Sequence, residues 1–236
     1  MVGSRIVATL TAAVSALGLA AVGPVADPAL GRMSPGPAGR DVSSAAQARH
    51  VSFERWSRSR LDDGRLAGAR IRHRAVVVGP GSARVRYNDP YDRAGARRYD
   101  RGAWTSPWAR SAFGLTELIA SYDATAPVGT FIEVSVRGRS RAAGRSSWDS
   151  LGRWASHDTR FHRMSLGPQH DDLASVAVDT LTTNGRVRLD AWQLRVDLYR
   201  RAGGDATPRL TMVGAVASRV PSRAGAVSTP GTAAGT

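Results

Sequence analysis

The chain of 236 residues contains no cysteine. Disulfides and thiolate nucleophiles are excluded, so stability has to come from a packed core. Lysine is absent too, and all 33 basic residues behind the formal charge of +14 are arginine. Arginine binds phosphate and nucleic acid through a planar fork of donors. Here the arginines are scattered along an Ala/Gly-rich chain rather than clustered, as a GC-rich coding sequence would produce. No specific nucleic-acid partner is expected from them, whereas attraction to an anionic cell wall or acidic polysaccharide fits the charge. No G-x-S-x-G elbow is present, which removes the usual signature of a serine hydrolase. Helical periodicity is almost absent.

Long apolar runs are also lacking, with one exception. Ile6 to Val22 is nearly uncharged and follows Arg5, the pattern of a secretory signal. Small residues at Ala20–Ala21 and Ala29–Gly31 offer cleavage sites. A single membrane anchor is the competing reading, but the run is Ala-rich and near the lower length limit for spanning. No later segment is apolar enough to cross a bilayer, so no span is expected after cleavage. The predicted division is signal peptide 1–31, flexible Pro/Gly/Ala/Ser spacer 32–49, folded domain 50–220 and disordered low-complexity tail 221–236. The predicted localisation is secreted, outside the cell.

What the domain does contain is strand pattern. Glu117–Tyr122 and Thr130–Arg137 read as two strands joined by the turn D-A-T-A-P-V-G. Thr130–Arg137 alternates, with Ile132, Val134 and Val136 on one face and Phe131, Glu133, Ser135 and Arg137 on the other, as in a half-buried strand. Arg72–Val78 and Ser82–Tyr87 flank G-P-G; Tyr99 leads into a strand ending at Pro107; Phe161–Leu166 and Leu173–Thr182 read as further strands. Val51–Gly68 fits a short helix or an irregular edge. Asn184-Gly185 is the strongest two-residue hairpin signal. In Arg186–Arg200 the apolar parity switches at Ala191–Trp192, which requires a bulge or bend. About nine or ten strands with regular turns predict an all-β fold, an antiparallel β-sandwich or jelly-roll-like domain, with Trp104 and Trp192 inside.

Chemistry-bearing residues are sparse. His157, His162, Asp171 and Asp172 are the candidate metal ligands; the histidine spacing misses a helical zinc pair, and Asp171 and Asp172 suit calcium, the one cofactor that the residues suggest. The bland reading is solvated loop, with one Asp accepting backbone hydrogen bonds. Glu117, Glu133, Asp149 and Asp179 lie near strands, where a glycosidase would place its two carboxylates, and the sequence does not choose a pair. Trp108, Trp148 and Trp154 are the candidate ligand-binding residues, because exposed indoles stack on sugar rings.

Several stretches in one order carry a resemblance: Gly102–Pro107 (G-A-W-T-S-P), Phe113–Val134, Ser147–Asp158 (S-W-D-S-L-G-R-W-A-S-H-D), Arg163–Asp171, Val178–Leu181 and Gln193–Arg200. Over about His50–Val220 the chain resembles the N-terminal β-rich region of secreted actinobacterial proteins of the family thirty-nine-like, bacteriocin-processing and papain-like cysteine peptidases. The resemblance implies a separate or missing peptidase domain as partner, since in that family the catalytic Cys and His lie in a domain that follows. No residue here matches the nucleophile, so no catalytic residue carries over. The first reading is a non-catalytic accessory domain binding cell-wall glycan, another polysaccharide or protein. A glycan-active hydrolase or lyase is the second, and a basic adhesin-like or nucleic-acid-binding protein the third. N-terminal sequencing of the exported chain should find a mature start between about Ala21 and Arg32; an intact Met1 on a cytosolic protein would contradict the signal.

Overall fold

The computed structural model describes residues 50–91, 95–157, 161, 163–166, 169–170 and 172–219. The predicted signal, spacer and tail lie outside the described residues. Alternating sequence folds into strands almost throughout. In chain order these are β1 (His50–Ser57), a 3-10 helix (Arg58–Asp63), β2 (Arg65–Ala67), β3 (Ala69–Arg72), β4 (Ala75–Val78), β5 (Ala83–Tyr87) and β6 (Arg97–Thr105). There follow β7 (Ala109–Leu115), β8 (Glu117–Thr125), β9 (Thr130–Ser140), β10 (Gly144–Arg145) and β11 (Asp149–Trp154). Then come β12 (Gln169–His170), β13 (Ala174–Ala177), β14 (Thr180–Thr183), β15 (Leu189–Arg201) and β16 (Arg209–Arg219). No helix among them is long and apolar enough to cross a membrane.

Two eight-stranded antiparallel sheets result. The first runs β12-β13-β14-β8-β16-β4-β3, with β1 sharing the edge of β16 with β4. The second runs β10-β9-β15-β6-β2, with β11 on β9, β5 on β6 and β7 on β15. This is the expected all-β sandwich. Its core lies between the sheets, where Leu118, Val213 and Ala215 of the first meet Ile132, Val134, Leu194, Val196 and Leu198 of the second. Trp104 and Trp192 are inside as expected, and Trp56 joins them edge-on at 5.8 and 5.7 Å. Val51–Gly68, expected as a helix or irregular edge, holds most of β1, the 3-10 helix and β2.

The strongest turn signals join strands, but they join them between the two sheets. G-P-G joins β4 of the first sheet to β5 of the second, and A-P-V-G joins β8 to β9 across the same gap. Asn184-Gly185 likewise carries the chain from β14 to β15 rather than closing a hairpin. Asn184 is tied sideways instead: its Oδ1 accepts from Ser175 Oγ, and its Nδ2 donates to Asp172 O at 2.7 Å. The hairpins inside the first sheet are turned by residues with no turn signature. His73 and Arg74, at φ 49 and 59, split the predicted strand Arg72–Val78. Val178, at φ 60, splits Leu173–Thr182. The described residues of Phe161–Leu166 form no strand, only a bridge from Met164 to Arg153. The bulge expected at Ala191–Trp192 is present one step earlier, where the pairing of β15 with β7 shifts between Leu189 and Ala191.

One crossing explains two glycines. The chain leaves β2 for β3 through Gly68 at φ +60, where a Cβ would lie 2.7 Å from Ser82 Cα. A Cβ on Gly102 would lie 2.5 Å from the Gly68 carbonyl oxygen. Only two glycines allow those backbones to approach so closely.

The outward residues of β9 depart most from expectation. Phe131 and Ser135 are 1% and 2% exposed, so the strand is buried on both faces. Long side chains and a second apolar cluster cover the outer face of the second sheet. Val178, β-branched and exposed, occupies a left-handed conformation that costs an L-residue about 1–2 kcal/mol. Denaturant unfolding should show Val178→Asn gaining about 1 kcal/mol. Leu194→Ala should lose about 2–4 kcal/mol, and Ser121→Ala, on the outer face of β8, should shift by less than about 0.5 kcal/mol. Equal effects at all three would contradict the register.

Candidate functional site

The outer face of the second sheet is built by the β9–β15 ladder. Its register sets Gln193 opposite Arg137, Arg195 opposite Ser135 and Asp197 opposite Glu133. Because side chains alternate, these pairs all project away from the core. Two tryptophans arrive on this face from outside the ladder, each by the same device. Ser106 is buried between β6 and β7, where its N–H donates to Leu194 O at 2.9 Å and its Oγ accepts from Leu194 N at 3.0 Å. Gln193 Nε2 holds the Ser106 carbonyl at 2.8 Å. Pro107 has no N–H to continue the ladder, and Trp108 follows. Ser146 repeats this on β9, donating its N–H to Gly138 O at 3.0 Å and accepting from Gly138 N at 2.8 Å. Trp148 stands two residues on. The repeated S-x-W spacing was the sequence signal for this site, and it was missed.

The tryptophans interleave with arginines. Arg139 lies over Trp108 at 5.0 Å and Arg137 over the same ring at 5.2 Å. Arg137 lies over Trp148 at 4.4 Å, and Arg195 over that ring at 4.9 Å. The order is Arg139, Trp108, Arg137, Trp148, Arg195. Arg137 also donates Nε and Nη2 to Gln193 Oε1 at 2.9 and 2.6 Å. Burial lowers the Arg137 guanidinium from its ordinary value, and the positive charges of Arg145, Arg195 and Arg65 act the same way. Among the described residues no carboxylate forms an ion pair with Arg65, Arg137, Arg139 or Arg145.

Beyond the ladder lies an ion network, then an aromatic cluster. Asp197, 1% exposed, accepts from Arg101 at Oδ1 and from Arg195 at Oδ2, while Glu133 accepts from Arg153 at 2.9 Å. The two carboxylates face each other across strands and need those guanidinium groups to offset their repulsion. Phe131 stacks on Phe161 at 4.0 Å and on Tyr199 at 4.2 Å, with Tyr87 and Tyr99 edge-on or tilted around them.

The predicted site residues scatter over this framework. Trp108 and Trp148 come together; Trp154 lies apart, edge-on to Tyr122 at 6.2 Å and packed against the core. Asp172 fits the bland reading. Its carboxylate accepts the N–H groups of Ser147 and Leu173, and so pegs the loop that carries Trp148. His157 is exposed, while His162 and Asp171 lie outside the described residues. No group of three or more His, Cys, Asp or Glu that could hold a metal ion occurs among the described residues. Glu117 belongs to the first sheet and Asp179 to the turn between its β13 and β14, while Glu133 and Asp149 belong to the second sheet. Glu133 finds its carboxylate neighbour in Asp197, which the sequence did not single out.

Fold and face together define an antiparallel β-sandwich domain with an arginine–tryptophan ladder on one sheet and no cysteine. Residues 49–218, most of the chain, match the family model of the peptidase C39 N-terminal domain. The chain belongs to that family and is a peptidase-associated N-terminal domain. No curated protein matches it.

Burial raises the hydroxyls of Tyr87 and Tyr199 above the ordinary range and that of Tyr122 to about 12, with Asp179 adding to the last. In the unfolded chain they ionise near about 10. The unfolded state therefore sheds protons first, and stability present below about pH 10 declines as pH rises toward 12. Ultraviolet titration of the native protein should show a late-ionising fraction of its five tyrosines that merges with the rest in denaturant. A single step near about pH 10 in the native state would contradict this burial.

Proposed function

We propose that this chain is a secreted, non-catalytic binding domain that attaches to cell-wall glycan or another extracellular polysaccharide. The observation that carries the reading is the ladder of Arg139, Trp108, Arg137, Trp148 and Arg195 on the outer face of the second sheet. It is rigid, because two buried serines, Gln193 and Asp172 fix its parts, and a preformed surface loses little entropy on binding. Its concentration of uncompensated positive charge is unusual for a surface without a partner. The leader-like N-terminus supports export to where wall polymers are, and the family name associates the domain with a peptidase that it would localise. A thiol mechanism is unavailable to a chain without cysteine. The adjacent carboxylates Glu133 and Asp197 suit a hydrolase poorly, since both oxygens of Asp197 are committed to Arg101 and Arg195 and Glu133 is paired with Arg153 through Oε2.

Co-sedimentation of the purified chain with insoluble cell walls tests this. The wild type should pellet with the walls, and Arg137→Ala with Trp148→Ala should weaken retention about ten-fold or more. Failure to pellet at any ionic strength would overturn the reading, as would hydrolysis of wall glycan or peptide.

A second reading is favoured by the first sheet. Phe53, Val216 and Ile119 form one cross-strand row over β1, β16 and β8, at 54%, 39% and 42% exposure. His50 pairs with Arg219, so the described chain begins and ends beside this row. A C39 peptidase domain would dock there, and Phe53→Asp should abolish its binding while leaving wall retention intact.

A further inference from the structure

We propose that the ligand of the ladder face is an anionic wall polymer, with carboxylate or phosphate groups along its chain, held by guanidinium edges rather than by sugars stacked on tryptophan. The inference rests on the reading of this face as a binding surface and specifies the chemistry it recognises.

The first argument comes from what the tryptophans have left to offer. A sugar ring stacks on an open indole face. Trp108 is engaged by Arg137 and Arg139, and Trp148 by Arg137 and Arg195. Each indole thus already holds two guanidinium groups, which a neutral sugar stacking on the same face would have to displace. The arginines keep free donors at their edges. Arg137 commits Nε and Nη2 to a single oxygen of Gln193, leaving Nη1. Arg195 commits Nε to Asp197, leaving its two terminal nitrogens. A guanidinium stacked on a ring by its face and open at its edge is positioned for bidentate contact with carboxylate or phosphate.

The second argument is the track that these groups form. Arg65 on β2 is opposite Thr105, which is opposite Arg195 on β15; Arg195 is diagonal to Arg137 on β9. Arg139 stands two residues further along β9, and Arg145 on β10 is its direct partner. Five arginines therefore form a stepped diagonal that crosses β2, β6, β15, β9 and β10. At about 4.8 Å between strands and about 3.3 Å per residue along them, the path spans roughly 19 Å across the sheet and about 13 Å along β9, enough to meet several charged groups of one polymer. Like charges directly opposite each other destabilise a sheet, and the Arg139–Arg145 pair has no described carboxylate to relieve it. Among the described residues, the ion pair to an arginine of this path is that of Arg195 with Asp197, which is shared with Arg101. A polyanion lying on the track supplies the missing counter-charge. Single-stranded nucleic acid would also bring phosphates, but it gains much of its affinity by stacking bases on open aromatic faces, and both indoles here already hold guanidinium groups.

The test compares the full chain on four immobilised polymers: a uronic-acid polysaccharide, a polyol-phosphate polymer, a neutral N-acetylglucosamine polymer and a single-stranded oligonucleotide. Binding is expected to one or both anionic polymers, the pair of arms telling carboxylate from phosphate, and to weaken about ten-fold or more from low to high salt. Arg65→Gln with Arg139→Gln and Arg145→Gln should abolish it at an unchanged melting temperature. Arg70→Gln with Arg72→Gln and Arg74→Gln removes equal charge from the first sheet and should leave it in place. Salt-independent binding to the neutral polymer would overturn the anionic assignment while leaving the glycan-binding reading standing. Binding to none of the polymers would remove both. Tighter binding to the oligonucleotide, or equal loss in the two triple variants, would also overturn the proposal.

Discussion

The pairing of β15 with β9 is the constraint on which the rest of the molecule depends. Over Ala191–Arg200 it holds one register. On the inner side that register sets Leu194, Val196 and Leu198 beside Val136, Val134 and Ile132, and so forms the floor of the sandwich core. On the outer side it sets Gln193, Arg195, Asp197 and Tyr199 beside Arg137, Ser135, Glu133 and Phe131. A slip of one residue would exchange the two sets and place arginines in the core. Core and candidate site are two faces of one ladder, and neither can be altered in register without the other.

The outer face is organised by charge along that ladder. At one end aromatic rings pack against each other and exclude water. In the middle Asp197 and Glu133, facing each other, are held by Arg101, Arg195 and Arg153. The desolvation of such charges is costly unless every oxygen finds a donor, and Asp197 at 1% exposure has both of its oxygens bonded. At the other end charge compensation stops, and arginines stack on tryptophan instead. Arg195 links the two regimes, giving its Nε to Asp197 and its plane to Trp148. The face thus passes from satisfied to unsatisfied charge over a few residues, which is why the functional reading attaches to the ladder end.

Sequence patterning alone determined the strand content, the inner parity of β9 and β15, the bulge near Ala191 and the buried positions of Trp104 and Trp192. The absence of cysteine settled that no thiol chemistry resides here. These properties are local: alternation has a period of two residues, and burial of an apolar side chain needs no knowledge of its partner. Tertiary structure alone decided which turns are hairpins and which are crossings. Gly, Pro and Asn encode a reversal of the chain but not the sheet in which the next strand pairs, so G-P-G, A-P-V-G and N-G all cross between sheets, while His73-Arg74 and Val178 close hairpins. It also decided the outer burial of Phe131 and Ser135, and the meeting of Trp108 with Trp148. Those depend on Ser106 docking onto Leu194, far away in sequence, while Ser146 folds back onto Gly138 only eight residues earlier; long-range register is a property of paired backbones, not of any one stretch of residues.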